Sequence, residues 1–308
     1  MNFTALEEHM LLSTTTRCIG PRNQLDPFFA FLEKAVESGF RHVNLAFGEL
    51  TELLTEDFDT AAFAKRLRSY GLSVNGAHAP LFYPFLFHET DGKAWQGVML
   101  RAMRIAAACG VTDFVMHLGT VVDGEMRYQP AASAEQNIAY LQPYLEQAEQ
   151  LGLRIDVENG TNQPWDGEDA RPLKSVSPGI EELITVTDAV NSTFSKGVCG
   201  ICFDCGHANL AGLDLPKAIK KIGNRLKVVH VHDNDGSADQ HLLPFAGNIS
   251  WPLVIDALKE IDFRGELALE LYYENGELKE DPVAYLTHTY SILKEQLNEG
   301  GVFHGDRR

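Results

Sequence analysis

Short apolar runs alternate with longer helical patterns eight times along this chain, and no other feature constrains the fold as tightly. The runs lie near residues 11–18, 41–47, 72–78, 113–118, 153–158, 199–204, 226–232 and 265–271. The helical patterns cover 26–38, 57–70, 92–109, 132–151, 179–191, 214–222, 251–261 and 282–297. Within 132–151, Ile138, Leu141, Leu145 and Ala148 recur at spacings of three and four, so one helix face is buried. Gly39, Gly71, Gly110, Gly152, Gly223 and Gly265 each follow a helical stretch, where a left-handed cap is wanted.

Eight strands, each followed by a helix, is the count of a (β/α)8 barrel. A doubly wound open sheet is the competing α/β arrangement, and it usually carries G-x-G-x-x-G after its first strand. Here the first run is followed by R-C-I-G-P-R-N-Q, residues 17–24. The expectation is therefore an α/β chain folded as a single (β/α)8 TIM barrel over residues 1–308. One long polar insertion, near 160–178, follows the fifth strand. It is too short for a domain and is expected to be a loop over the active site.

In such a barrel the active site forms at the C-terminal ends of the strands. His78 ends strand three in G-A-H-A-P, His117 ends strand four in V-M-H-L-G, and Glu158 ends strand five in D-V-E-N-G. Asp204 ends strand six, His230 lies near the end of strand seven, and Glu270 ends strand eight in L-A-L-E-L. Six consecutive strands thus deliver an acid or an imidazole to one rim. Taken singly, a histidine at a strand end is more often a half-buried structural group. A carboxylate on an inward barrel position is costlier to bury without a cation or donor, so Glu158 and Glu270 are read as functional. His232, two residues after His230, would face the same way if the strand continued, which makes it a rival ligand. Asp233 and Asp235 could simply be turn residues before Gly236. The aromatic run L-F-Y-P-F-L-F, 81–87, is either an apolar lid or core beneath a long loop.

Acids and imidazoles are densest over residues 202–241. C-F-D-C-G-H-A-N-L-A-G is followed by H-V-H-D-N-D-G-S-A-D-Q-H, supplying Asp204, His207, His230, His232, Asp233, Asp235, Asp239 and His241. No Lys or Arg lies between Asp233 and His241. A divalent cation relieves the repulsion within such a cluster. Imidazole suits zinc, manganese or iron, and carboxylate suits harder ions. The C-x-x-C-x-x-C run formed by Cys199, Cys202 and Cys205 is not read as a metal site. It lies in an apolar strand, where alternation would turn Cys202 away from the other two.

The chain carries 26 Lys and Arg against 43 Asp and Glu, a formal charge of −17. A protein that binds the nucleic-acid backbone usually shows a basic footprint, so no nucleic-acid partner is expected. No stretch approaches the ~20 apolar residues of a membrane span, and no membrane partner is expected. The first residues lack the pattern of an export signal. With an odd number of cysteines, five, this points to reduced thiols in a cytoplasmic protein.

V-E-N, D-C-G-H-A-N-L-A-G, H-V-H-D-N-D-G-S-A-D-Q-H and L-A-L-E-L together resemble the xylose-isomerase-like (β/α)8 superfamily, over about residues 40–275. That superfamily holds sugar isomerases and epimerases, inosose dehydratases and the endonuclease IV group. For the ketose epimerases, the resemblance implies one divalent ion held by Glu158, Asp204, His230 and Glu270, with the two glutamates also moving protons. For endonuclease IV it implies three zinc ions, held by those four together with His78, His117, His207, Asp239 and His241. Two departures matter. The family's P-G-x-G turn is replaced by L-P-F-A-G-N-I-S-W, and the epimerases' sugar-binding arginine is replaced by Gly236.

The leading expectation is a divalent-metal-dependent isomerase or epimerase of a sugar or sugar derivative, transferring a proton through a metal-stabilised enediolate. Glu158 and Glu270 would be catalytic. His207, His78 and Trp165 would contact substrate, and the insertion would exclude water. The cofactor is expected to be one manganese, zinc or magnesium ion, with up to three accommodated. The partner is a small sugar or polyol, and a homo-oligomer is compatible with it. Arg127, Arg171 and Lys174 lie in rim loops, where each could meet an anion or equally be a solvated loop charge. The alternatives are an endonuclease IV-like zinc phosphodiesterase on abasic DNA, a dehydratase of the inosose type, and a non-catalytic sugar-binding barrel.

Overall fold

Each apolar run becomes a strand, and alternation then decides what fills the barrel. The computed structural model describes residues 10–16, 25–81, 95–125, 127–161, 179–194, 197–271 and 282–298. The strands are β1 (Leu11–Thr15), β2 (His42–Ala46), β3 (Ser73–His78), β4 (Asp113–His117), β5 (Arg154–Glu158), β6 (Cys199–Asp204), β7 (Leu226–Val231) and β8 (Glu266–Leu269). They pair in parallel, in sequence order, and β8 closes on β1. The helices are α1 (Leu25–Glu37), α2 (Thr60–Ser69), α3 (Gln96–Cys109), α4 (Pro130–Leu151), α5 (Ile180–Thr193), α6 (Cys205–Leu210), α7 (Leu215–Ile222), α8 (Trp251–Glu260) and α9 (Pro282–Asn298). The expected (β/α)8 barrel is what the chain forms. None of the helices described is long and apolar enough to cross a membrane.

Strand alternation divides the buried side chains into two sets. The outward set, including Phe114, Ile155, Val157, Ile201, Phe203 and Val229, packs against helix residues such as Leu141, Leu145, Leu183 and Ile219. The inward set is thin and layered. Val115, Cys202, Val228 and Ala268 form a separate apolar plug. Beneath it, at the N-terminal ends of the strands, Ser13 Oγ donates to Glu266 Oε1 at 2.5 Å and Asn44 Nδ2 donates to Glu266 Oε2 at 3.3 Å. Arg154 binds both Asp113 and Asp156 at the same end. Above the plug lies the C-terminal rim.

Local signals set the element ends. Gly110 and Gly152 take φ of 99° and 71° as left-handed caps of α3 and α4, as their placement predicts. Gly265 has a different reason. Its φ is not positive, and a Cβ there would overlap the Lys227 carbonyl oxygen, so the residue permits close backbone approach. Asp262, at φ 51°, makes the left-handed turn after α8 instead. Cys205 is not on a strand. β6 ends at Asp204, whose side chain accepts from the His207 backbone N–H and caps α6. Cys202 does face the barrel interior, apart from Cys199 and Cys205.

Candidate metal centre

Alternation on β3 to β7 lifts one acid or imidazole per strand onto the rim. His78 ends β3, His117 β4, Glu158 β5 and Asp204 β6, and His230 is the penultimate residue of β7. Glu270 follows β8 directly, and its N–H donates to Val231 O at 3.2 Å. All six are brought together. Glu158, Asp204, His230 and Glu270 are buried, and each offers a ligand atom within 4.8 Å of the others. Ligands ~2.0–2.2 Å from one ion lie at most about 4.4 Å apart, so this central group needs little closure to fit one. His78, His117 and Glu158 form a second group at the same spacing, and His207, His232, Asp239 and His241 form a third.

The hydrogen bonds fix which ring nitrogen several of these histidines turn towards a carboxylate. The His78 Nδ1–H donates to Ala79 O at 2.8 Å, His207 Nδ1–H to Asn159 O at 2.9 Å, and His241 Nδ1–H to Glu270 O at 2.8 Å. A carbonyl only accepts, so each bond fixes the proton on Nδ1 and leaves the Nε2 lone pair free in the neutral ring. Each Nε2 then faces a carboxylate: His78 to Glu158 Oε2 at 3.2 Å, His241 to Asp239 Oδ2 at 3.0 Å, and His207 to Asp239 Oδ2 at 3.6 Å. Lone pair against carboxylate is repulsive unless a proton or a metal cation lies between them. His230 has no such carbonyl lock, but its Nδ1 faces three carboxylates, 3.2 Å from Glu158, 3.3 Å from Glu270 and 3.6 Å from Asp204. Asp239 Oδ1 is buried with no hydrogen-bond partner. The donor set, imidazole plus carboxylate oxygen, suits zinc or manganese, and the residues fit the ion.

Without an ion, protons carry the balancing charge. Burial would push the Glu158 carboxyl up, but the His117 and His230 charges and the hydrogen bonds from His230 and His78 hold it well below the usual range. Asp204 is likewise held low against burial by His207, His232 and His230. Burial opposes protonation of His230, yet the Glu158 and Glu270 carboxylates and the hydrogen bond with Asp204 raise it well above an ordinary imidazole. Asp204, Asp239 and Glu158 do the same for His207. Burial pushes His117 down to about 4, so at pH 7 it is a neutral imidazole, the form a metal takes.

Asp233, which could have been a simple turn residue, is a buried hub. Its carboxylate accepts from Phe245 N at 3.0 Å, Ile249 N at 3.2 Å and Trp251 Nε1 at 2.9 Å. Those bonds close the loop that carries Asp239 and His241. His232 lies one residue beyond the end of β7, with its Nε2 3.0 Å from Asp204 Oδ2 and its ring beside His207 and His241. Arg127 pairs with Asp123 and Glu125 in its own loop at 2.8 and 2.9 Å. Trp165, Arg171, Lys174 and residues 82–87 of the aromatic run lie outside the described residues, as does the insertion beyond residue 161.

The family described as xylose isomerase-like TIM barrel matches residues 32–295. A D-psicose 3-epimerase of Enterocloster bolteae is 28% identical over 96 residues, 31% of this chain and 29% of that protein. A crystal structure of a D-tagatose 3-epimerase-like protein superposes with a TM-score of 0.71 at 23% identity, covering 94% of this chain and 97% of the other. A crystal structure of the IOLI protein with a binding zinc atom gives 0.70 at 17% identity, covering 94% and 98%.

Proposed function

We propose that this chain, which belongs to the xylose isomerase-like TIM barrel family, is a divalent-metal-dependent isomerase or epimerase of a sugar or sugar derivative. The observation that carries this reading is the central group. The His230 Nδ1 atom faces Glu158, Glu270 and Asp204 at once, around a position that only a cation can occupy comfortably. The similarity to a D-psicose 3-epimerase and to a D-tagatose 3-epimerase-like protein supports the sugar assignment, and the zinc of the IOLI protein supports the metal.

Glu158, Asp204, His230 and Glu270 would hold the ion. A bound ion supplies a Lewis acid that acidifies a C–H next to a substrate carbonyl. Glu158 and Glu270 come from β5 and from the end of β8, on different sides of the site. One takes the proton from carbon and the other returns it. His78 and His207, each locked at Nδ1 by a backbone carbonyl, keep a fixed nitrogen towards the site and orient substrate hydroxyls where no second ion is held.

One observation favours a second reading. All three ligand groups are assembled, which is what a multinuclear zinc phosphodiesterase acting on abasic DNA would need. The charge of −17 weighs against it, because backbone binding rests on Lys and Arg displacing counterions. One pair of assays separates the two. With manganese or zinc supplied, solvent deuterium is expected to enter the carbon-bound position next to the carbonyl of a ketose such as D-psicose or D-tagatose. A duplex with one abasic site is expected to stay intact. Rapid incision of that duplex, with no exchange into any ketose of a panel, would overturn the sugar reading.

A further inference from the structure

We propose that His232 is a positioning residue that ties the central ligand group to the outer one, and that it is not itself a metal ligand. The inference rests on the metal-dependent reading above. His232 is fully buried, one residue past β7, between the two groups. Its Nε2 lies 3.0 Å from Asp204 Oδ2, and the carboxylate can only accept, so Nε2 carries the proton. Its ring lies flat on His241, with centroids 3.8 Å apart and planes 9° from parallel. One side chain therefore touches a carboxylate of the central group and an imidazole of the outer group.

The stack excludes the simpler idea of a fourth ligand. An imidazole lone pair points outward in the ring plane. An ion shared by two nearly parallel rings would lie roughly 1.7–1.9 Å out of each plane, while the nitrogen–metal distance is only ~2.0–2.1 Å. The ion would sit above the nitrogens instead of in line with their lone pairs. His207, Asp239 and His241 have no such conflict. His207 meets His232 edge-on, at 82°.

The surroundings keep His232 in this pose. A Cβ at Gly206 would overlap its ring, so the glycine at the start of α6 leaves the space the imidazole fills. Asp204 is pinned in turn. Its Oδ1 accepts from His207 N at 2.6 Å, and its backbone is clamped by Asn159, with Asp204 N to Oδ1 at 2.8 Å and Nδ2 to Asp204 O at 3.0 Å. The bond from His232 fixes the remaining oxygen and so orients the whole carboxylate towards the central ion. Hydrogen-bond partners of metal ligands commonly carry about 10–100-fold in metal affinity.

Two variants of the full chain separate the roles. His232→Phe keeps a flat ring against His241 but cannot donate to Asp204. His232→Gln removes the ring but keeps a donor of similar reach. Manganese and zinc titrations by calorimetry, with an elemental metal count at saturation, read affinity and stoichiometry independently of any substrate. Glu270→Gln marks which binding step belongs to the central group. In His232→Phe that step is expected to weaken about 10–100-fold with the saturating count unchanged. In His232→Gln it is expected to recover to within a few-fold of the original chain. Loss of one equivalent of metal in both variants would make His232 a ligand and overturn the proposal, and so would unchanged affinity in both. An original chain that takes up no divalent ion would instead remove the metal-dependent reading itself.

Discussion

Glu158→Gln is expected to lower turnover by about 10²–10⁴-fold, the contribution of a well-placed general acid or base, while the barrel stays folded. The amide keeps the length and one oxygen for the ion. It cannot accept a proton from carbon. Glu158 also belongs to both the central group and the group with His78 and His117, so the substitution removes charge from two places at once. The measurement is the rate of solvent deuterium entry into a ketose that the original chain turns over, at saturating metal, with the bound ion counted in the same sample. A metal-replete variant with a near-normal rate would reduce Glu158 to a ligand. If the loss is recovered merely by raising the metal concentration, the same conclusion holds.

Gly265→Ala is expected to destabilise the protein by about 2–3 kcal/mol, with no direct effect on the site. A methyl group there would overlap the Lys227 carbonyl oxygen and crowd the Phe263 ring, so backbone must move where β8 pairs with β7. Gly71→Ala is the control. No atom would meet its new Cβ, and only the left-handed φ of 70° resists it, at about 1–2 kcal/mol. Equilibrium denaturation of both variants tests the comparison. Equal losses would mean that the Lys227 carbonyl gives way to the methyl group and that close packing at Gly265 costs little.

These two glycines mark where the sequence was legible and where it was not. Gly71 follows a helical pattern and caps it, so position alone gives its role. Gly265 follows a pattern in the same way, but its reason is a neighbour 38 residues distant in sequence, visible only when β7 and β8 are side by side. The same divide runs through the site. Glu158, Asp204, His230 and the other rim residues could be placed from strand ends, because the strand period is two and the rim of a barrel is fixed by topology. The tautomer locks could not. The carbonyls of Ala79, Asn159 and Glu270 carry no mark in the sequence, yet they turn three Nε2 atoms towards carboxylates.

The pose of His232 is not legible in the sequence for a related reason. Its spacing from His230 assumes that β7 continues, but the strand ends at Val231 and the ring turns towards Asp204 and His241. Asp233 read as a turn residue because a turn does follow it. Its buried carboxylate, bonded to Phe245, Ile249 and Trp251, is what shapes the loop that lacks the family's P-G-x-G turn.

The central claim is that Glu158, Asp204, His230 and Glu270 share one divalent ion. The most direct measurement is anomalous X-ray scattering from crystals of the manganese- or zinc-loaded chain. The account expects a fully occupied peak within about 2.0–2.3 Å of a nitrogen of His230 and of carboxylate oxygens of the other three. A fully occupied ion with any two of these four side chains far outside that distance would contradict it.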